Sequence, residues 1–115
     1  MRFEENDMCG PFPVSDVSEG IDHDYVGVYV LSRDGKNIHY VGRSDSDLQG
    51  RLRESIAEGD GYTVFWFNYE TSPMQAYKSE CYLYHKYDPP DNSIHPAVPK
   101  GTNWRCPIEG CPWGV

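Results

Sequence analysis

The stretch Asp24-Tyr25-Val26-Gly27-Val28-Tyr29-Val30-Leu31-Ser32, followed by Arg33-Asp34-Gly35 and then Lys36-Asn37-Ile38-His39-Tyr40-Val41-Gly42, decides the fold. Both outer runs are rich in β-branched and aromatic residues, and an Asp-Gly step between such runs tolerates the positive φ that tight hairpin turns need. Two antiparallel strands joined by a turn are predicted. Downstream, Ser44, Asp45 or Ser46 caps a helix whose apolar positions Leu48, Leu52, Ile56 and Ala57 recur at helical spacing, with Gly59 as its stop. Arg51 and Ser55 share another face of that helix. Tyr62 to Tyr69 forms a third strand-prone run, expected to lie centrally. Ser72-Pro73-Met74-Gln75 combines a capping hydroxyl, a proline at the first helical position and a glutamine three residues on. A second helix is therefore predicted from Pro73 to about Tyr87, ended by Pro89-Pro90. The expected fold class is α/β: a small three-stranded, mainly antiparallel sheet flanked by helices, in the order β-β-α-β-α, with an irregular C-terminal tail.

Outward from this centre, residues 1–24 mix prolines and glycines with many acidic side chains and read as a mobile acidic arm. Residues 25–96 make the domain, and 97–115 form a cysteine-containing tail packed on it. At 115 residues there is room for one domain, and 14% aromatic residues supply one modest core. The longest apolar run, Val28 to Leu31, is far short of the roughly 20 residues of a membrane helix. No membrane association is expected. The start, Met1-Arg2-Phe3-Glu4-Glu5-Asn6-Asp7, lacks the apolar region of a signal peptide, so a cytoplasmic location is expected, with thiols or metal ligands favoured over disulfides for the four cysteines.

A formal charge of -8 argues against a broad nucleic-acid-binding face, since phosphate contacts normally leave a basic footprint. Two readings reconcile charge with phosphate chemistry. The ten basic residues can converge on one cleft, or the chain can belong to a high-salt cytoplasm, where surface carboxylates stay hydrated and their repulsion is screened. Scarce lysine, confined to Lys36, Lys78, Lys86 and Lys100, suits the second.

Two tyrosines in neighbouring hairpin strands, an arginine one helix later and a glutamate on the last helix are the parts a phosphoryl-transfer site uses: a carboxylate for a metal, an arginine for developing charge, and hydroxyls beside the attacking water. Residue types alone are weak evidence, because tyrosines mostly pack. Their spacing is more specific. Gly27-Val28-Tyr29, ten intervening residues, Tyr40-Val41-Gly42, then Asp47-Leu48 leading to Arg51-Leu52, together with Glu80 followed by Leu83, Tyr87, Pro89 and Asn92, resembles the GIY-YIG nuclease family over residues 25–96. The likeness is to the N-terminal nuclease of bacterial excision repair and to small stand-alone members.

That resemblance implies a metal-dependent endonuclease hydrolysing phosphodiester bonds in DNA, in repair or in processing of branched or damaged substrates, with a protein partner supplying specificity. Glu80 would bind one Mg²⁺ or Mn²⁺ at the scissile phosphate, and Arg51 would donate to its non-bridging oxygens. Tyr29 would accept a proton from the attacking water, directly or through its hydrogen-bond network, and Tyr40 would complete the relay. A phenol needs nearby positive charge for such work, and Arg43 supplies some at a position where relatives often carry lysine. Asn92 is expected to tie the loop after the helix back to the strands. Gly27 and Gly42 support the site by permitting close backbone approach. The bland readings make Arg51 and Arg53 a solvated helix face and Glu80 a surface charge beside Lys78. The alternative function is a non-catalytic nucleic-acid or protein-interaction module that retains the fold.

The cysteines raise a separate expectation. Cys81 and His85 lie four apart on one face of the second helix, and with Cys106 and Cys111 from the tail they make a candidate tetrahedral zinc set, in which His95 is an alternative to His85. Against it, Cys81 reads equally as a small buried hydrophobe. Cys9 is expected to be free. Trp104 and Trp113 are expected to cover apolar surface.

Overall fold

A computed structural model describes residues 8–21, 25–92, 94–108 and 110–111. The chain runs through β1 (Cys9–Pro13), a 3-10 turn (Val14–Asp16), α1 (Val17–Gly20), β2 (Gly27–Ser32), β3 (Tyr40–Ser44), α2 (Leu48–Glu58), β4 (Val64–Tyr69) and α3 (Pro73–Tyr87). The strands form one antiparallel sheet in the order β1-β4-β2-β3. The predicted α/β class is present, with helices on both faces. No helix among the described residues is long and apolar enough to cross a membrane.

β2 is buried along its whole length because it is covered on both faces. Strand residues alternate sides, so Val28 and Val30 pack with Val41, Ala76 and Leu83 beneath α3, while Tyr29 and Leu31 pack with Leu48, Leu52, Phe65 and Phe67 beneath α2. Its pairing with β3 sets Tyr29 opposite Gly42 and Leu31 opposite Tyr40. The turn between them is held by Asp34, whose Oδ1 accepts from the amides of Lys36 and Asn37, each at 2.8 Å, with Gly35 in the left-handed region at φ 77°.

Two expectations are corrected. The sheet has four strands, not three: Cys9–Pro13, read from the sequence as part of a mobile arm, pairs with β4 through Cys9 to Phe67, Phe12 to Phe65 and Pro13 to Val64. Prolines disfavour a central strand but are tolerated at a sheet edge, and β1 is an edge strand with an irregular register between Cys9 and Phe12. The rest of the presumed arm up to Ile21 also packs, with Val17 and Ile21 buried beside α2; residues 1–7 and 22–24 lie outside the described residues. Second, the cap of α2 is Asp47 and not Ser44, Asp45 or Ser46. Its carboxylate accepts from the Gly50 amide at 3.2 Å, while Ser44 Oγ accepts from the Asp47 amide at 2.7 Å and so shapes the turn leading in. As expected, β4 lies centrally, sharing the middle of the sheet with β2.

The cap of α3 is as predicted, with Ser72 Oγ accepting from the Gln75 amide at 3.2 Å, and the helix ends at Tyr87 before Asp88, which adopts φ 45° ahead of Pro89. The tail lies on α3, where Cys106, Cys111, Val98, Trp104 and Ile108 pack against Tyr77 and Cys81. Trp104 thus covers apolar surface as expected, and Trp113 lies outside the described residues.

Both motif glycines are demanded by space. A Cβ on Gly27 would stand 2.5 Å from the Asn68 carbonyl oxygen, and one on Gly42 would stand 2.4 Å from Tyr29 Cζ and Oη. Gly42→Ala is expected to lower unfolding free energy by about 1–3 kcal/mol, as overpacking in a filled core does. Gly20→Ala, where no neighbour lies within 4 Å, should stay within about 0.5 kcal/mol of the parent in the same urea titration.

Candidate functional site

Residues far apart in sequence meet where the C-terminal half of β3, the start of α2, the middle of α3 and the loop after α3 converge. There Tyr40, Arg43, Arg51, Glu80 and Asn92 line a cleft of about 300 Å³, whose outer wall is the segment Ile94 to Ala97. Of the residues singled out for phosphoryl transfer, these five reach the cleft, and Gly42 forms part of its floor; His95, singled out as a metal ligand, lines it too. Gly27 lies deeper, under Leu48.

Tyr29 does not reach it. Its side chain is fully buried, with its ring centroid 6.3 Å from that of Tyr40, and its hydroxyl is 2.5 Å from Ser55 Oγ. Burial pushes the phenol well above its ordinary pKa, and the Ser55 hydrogen bond and Arg51 offset only part of that. Tyr29 is therefore a neutral phenol held between β2 and α2, and direct proton acceptance from a water in the cleft does not fit its position. Tyr40 is only partly buried and opens into the cleft; burial raises its pKa as well, against the pull of Arg51.

Glu80 is 8% exposed, on the face of α3 turned toward β3. Burial raises its pKa above the ordinary 4.5, and Arg43 opposes that rise. Arg43 Nη1 donates to Glu80 Oε1 at 2.5 Å, its Nε donates to Asp45 at 3.1 Å, its Nη2 donates to the Ala97 carbonyl at 3.0 Å, and its guanidinium lies over the Tyr77 ring. Burial works against the charge of Arg43 too, but attraction to Glu80 and Asp45 prevails and keeps it above its usual value. The planar fork reaches three partners at once, which a lysine ammonium matches poorly. Arg51 is 47% exposed and, among the described residues, forms an ion pair with Glu54 along its own helix, at 3.2 Å. It is the cation in the cleft left most open to an incoming anion.

Asn92 does what the sequence reading assigned to it. Its Oδ1 accepts from the Val41 amide and its Nδ2 donates to the Val41 carbonyl, both at 2.9 Å. A neighbouring clamp was not foreseen: Asp91 takes the hydroxyl of Tyr62 at 2.5 Å and a guanidinium nitrogen of Arg33, while its amide donates to the His39 carbonyl at 2.9 Å. Arg33 sits in the predicted turn, where its reach across the sheet has no local signal.

Behind the cleft wall lies a second cluster. The ligand atoms of His85, His95, Cys106 and Cys111 all fall within 4.8 Å of one another, a set able to hold a metal such as zinc. This corrects the expected quartet. Cys81 is fully buried against Tyr77 and the tail cysteines as a packing residue, and His95 stands in its place beside His85. The loop anchored by Asn92 folds back and delivers His95, a long-range effect that spacing along α3 does not encode. All four cysteines are free thiols, and Cys9 is exposed.

No family model matches the chain, and neither does any curated protein or solved structure.

Because the folded pKa of Glu80 is raised, its contribution to stability is present below 4.5 and is lost as pH rises through the higher folded value. Glu70, raised by its own burial, acts in the same direction, so the difference between the parent and Glu80→Gln isolates the Glu80 share. Arg43→Ala leaves Glu80 buried without its cation and is expected to cost about 3 kcal/mol at neutral pH, less at pH 4, in urea unfolding monitored by circular dichroism.

Proposed function

We propose that this chain is a metal-dependent endonuclease of the GIY-YIG type that hydrolyses phosphodiester bonds in DNA. One observation carries the reading: Tyr40, Arg51, Glu80 and Asn92, which match that family's spacing, line a single cleft together with Arg43, although they come from four separate parts of the chain. The donor set suits the expected ion. Glu80 is a buried carboxylate in an open cleft with Asp45 at its rim, and Mg²⁺ takes one or two protein carboxylates while keeping several waters. Glu80 would hold Mg²⁺ or Mn²⁺; when bound, the ion supplies positive charge against that developing on the phosphate and leaving oxygens. Zinc, in this reading, belongs to the separate His₂Cys₂ cluster and takes no part in the chemistry.

The side chains divide the remaining work. Arg51, exposed on one side, donates to non-bridging phosphate oxygens. Arg43 opposes the rise that burial imposes on the Glu80 pKa and is itself held by Ala97. Tyr40 orients the attacking water through its hydroxyl oxygen. A bond forms between that water and phosphorus as the bond to the leaving oxygen breaks; the water's proton departs through the open cleft to solvent, and the leaving oxygen takes up a proton from solvent to become a hydroxyl. Tyr29, bonded to Ser55, positions α2 against β2 and so holds Arg51 at the cleft. Repair or processing of branched or damaged DNA is the role proposed, with specificity drawn from a protein partner.

A second reading is favoured by one contact. Arg43 already occupies an oxygen of Glu80, and with a net charge of -8 the cleft could serve a non-catalytic nucleic-acid or protein-interaction module. Nicking of duplex, flap and branched DNA in Mg²⁺, with matched RNA alongside, separates the two. Glu80→Gln and Arg51→Ala are each expected to reduce the rate by about 10²-fold or more. Tyr40→Phe should lose more than Tyr29→Phe. Cleavage that survives both charge-removing substitutions overturns the assignment, and binding without cleavage by the parent protein favours the module.

A further inference from the structure

The His₂Cys₂ cluster and the cleft share a residue. His95 supplies a ligand atom to the first and lines the second, and the next two residues, Pro96 and Ala97, continue the cleft wall. We infer that the cluster is a closed zinc centre whose occupancy fixes the cleft wall and, through Ala97, the guanidinium of Arg43. This rests on the assignment of zinc to the cluster and not on cleavage.

Zinc bonds of about 2.3 Å to sulfur and 2.0–2.1 Å to nitrogen set tetrahedral ligand atoms roughly 3.5 Å apart. Cys111 Sγ and His95 Nε2 are already 3.4 Å apart, and the widest pair in the set, within 4.8 Å, needs to close by only about an ångström to reach that geometry. The surroundings fit as well. His95 Nδ1 lies 2.9 Å from the Pro96 carbonyl, which can only accept, so Nδ1 carries the proton and the lone pair of neutral imidazole is on Nε2, facing Cys111. Two sulfurs and two imidazoles select a borderline-soft ion over Mg²⁺ or Mn²⁺. Four protein ligands leave no open position, so the centre is structural.

Its position gives it a second effect. His85 stands on α3, the helix that carries Glu80, and His95 begins a segment with no helix or strand of its own. An ion joining the two fixes that segment to α3. The Ala97 carbonyl then holds Arg43 Nη2 at 3.0 Å while Arg43 Nη1 faces Glu80. Without the ion, the contacts seen on the wall include the His95 ring against those of Tyr84 and His85 on α3, and the Ala97 carbonyl with Arg43 of β3.

The test uses the full chain, purified under reducing conditions, with zinc alone as the probe. One equivalent of zinc is expected, lost in Cys111→Ser and in His95→Ala but retained in Cys81→Ala. Should Cys111→Ser not fold, cobalt substitution of the parent gives the same answer, through the visible absorption and thiolate charge transfer of a tetrahedral S₂N₂ site. Less than half an equivalent of zinc with no such spectrum, or loss of zinc in Cys81→Ala alone, overturns the site. Hydrogen exchange tests the coupling: chelation should speed exchange of the Ala97 and Val98 amides about tenfold or more while β2 and β4 remain protected. Full zinc loading with unchanged exchange at Ala97 overturns the coupling. Both measurements are made without nucleic acid, so they stand whether or not the cleft proves to cut DNA.

Discussion

The architecture depends on β2 being covered on both faces. A strand in that position must alternate two apolar sets, and Val28 and Val30 against Tyr29 and Leu31 do so with α3 on one side and α2 on the other. A slip of one residue in its register would exchange the sets and bring Tyr29 beneath α3. Its hydroxyl would then be buried away from Ser55, and Gly42 would no longer face the ring it makes room for. The two helices that deliver Arg51 and Glu80 are thus positioned by the same alternation. The cleft forms at the edge of the sheet because β3, which carries Tyr40 and Arg43, is the last strand in order.

Electrostatics at that edge are concentrated in one pair. A carboxylate removed from water as far as Glu80 is stable only with a cation beside it, and Arg43 is that cation. The overall acidity of the chain has less bearing on the cleft than it first suggested. Two arginines line it, one bound to Glu80 and one open, so the local field differs from the sum over the surface.

Most of the sheet, both long helices and the cap at Ser72 were legible in the sequence, because each carries its own local signal: alternation, helical spacing or a hydroxyl before a proline. β1 was not, since Gly10, Pro11 and Pro13 are turn formers everywhere except at an edge whose partner only the fold reveals. The Asp47 cap was missed because three other capping residues precede it, and only backbone geometry chooses among them. Among site residues, spacing could not tell that Tyr29 is buried behind the cleft that Tyr40 lines, because the two share one face of the sheet and differ in strand, β2 being interior and β3 at the edge. His95 was noticed only as a substitute for His85; that it joins His85 and displaces Cys81 follows from the loop path set by Asn92.

Asn92 itself has a consequence for the protein in a crowded solution. β3 is an edge strand, and such an edge presents unpaired amides and carbonyls to any other extended chain. At Val41 the carboxamide of Asn92 meets both of these groups, and the Asp91 amide meets the His39 carbonyl one step along. A carboxamide can present an N–H and its C=O on the same side, as one residue of a strand does, so the loop imitates the next strand for the length of a single residue. The groups that Val41 would offer to another chain are thereby taken up within the fold by the side chain that looks most like a site residue.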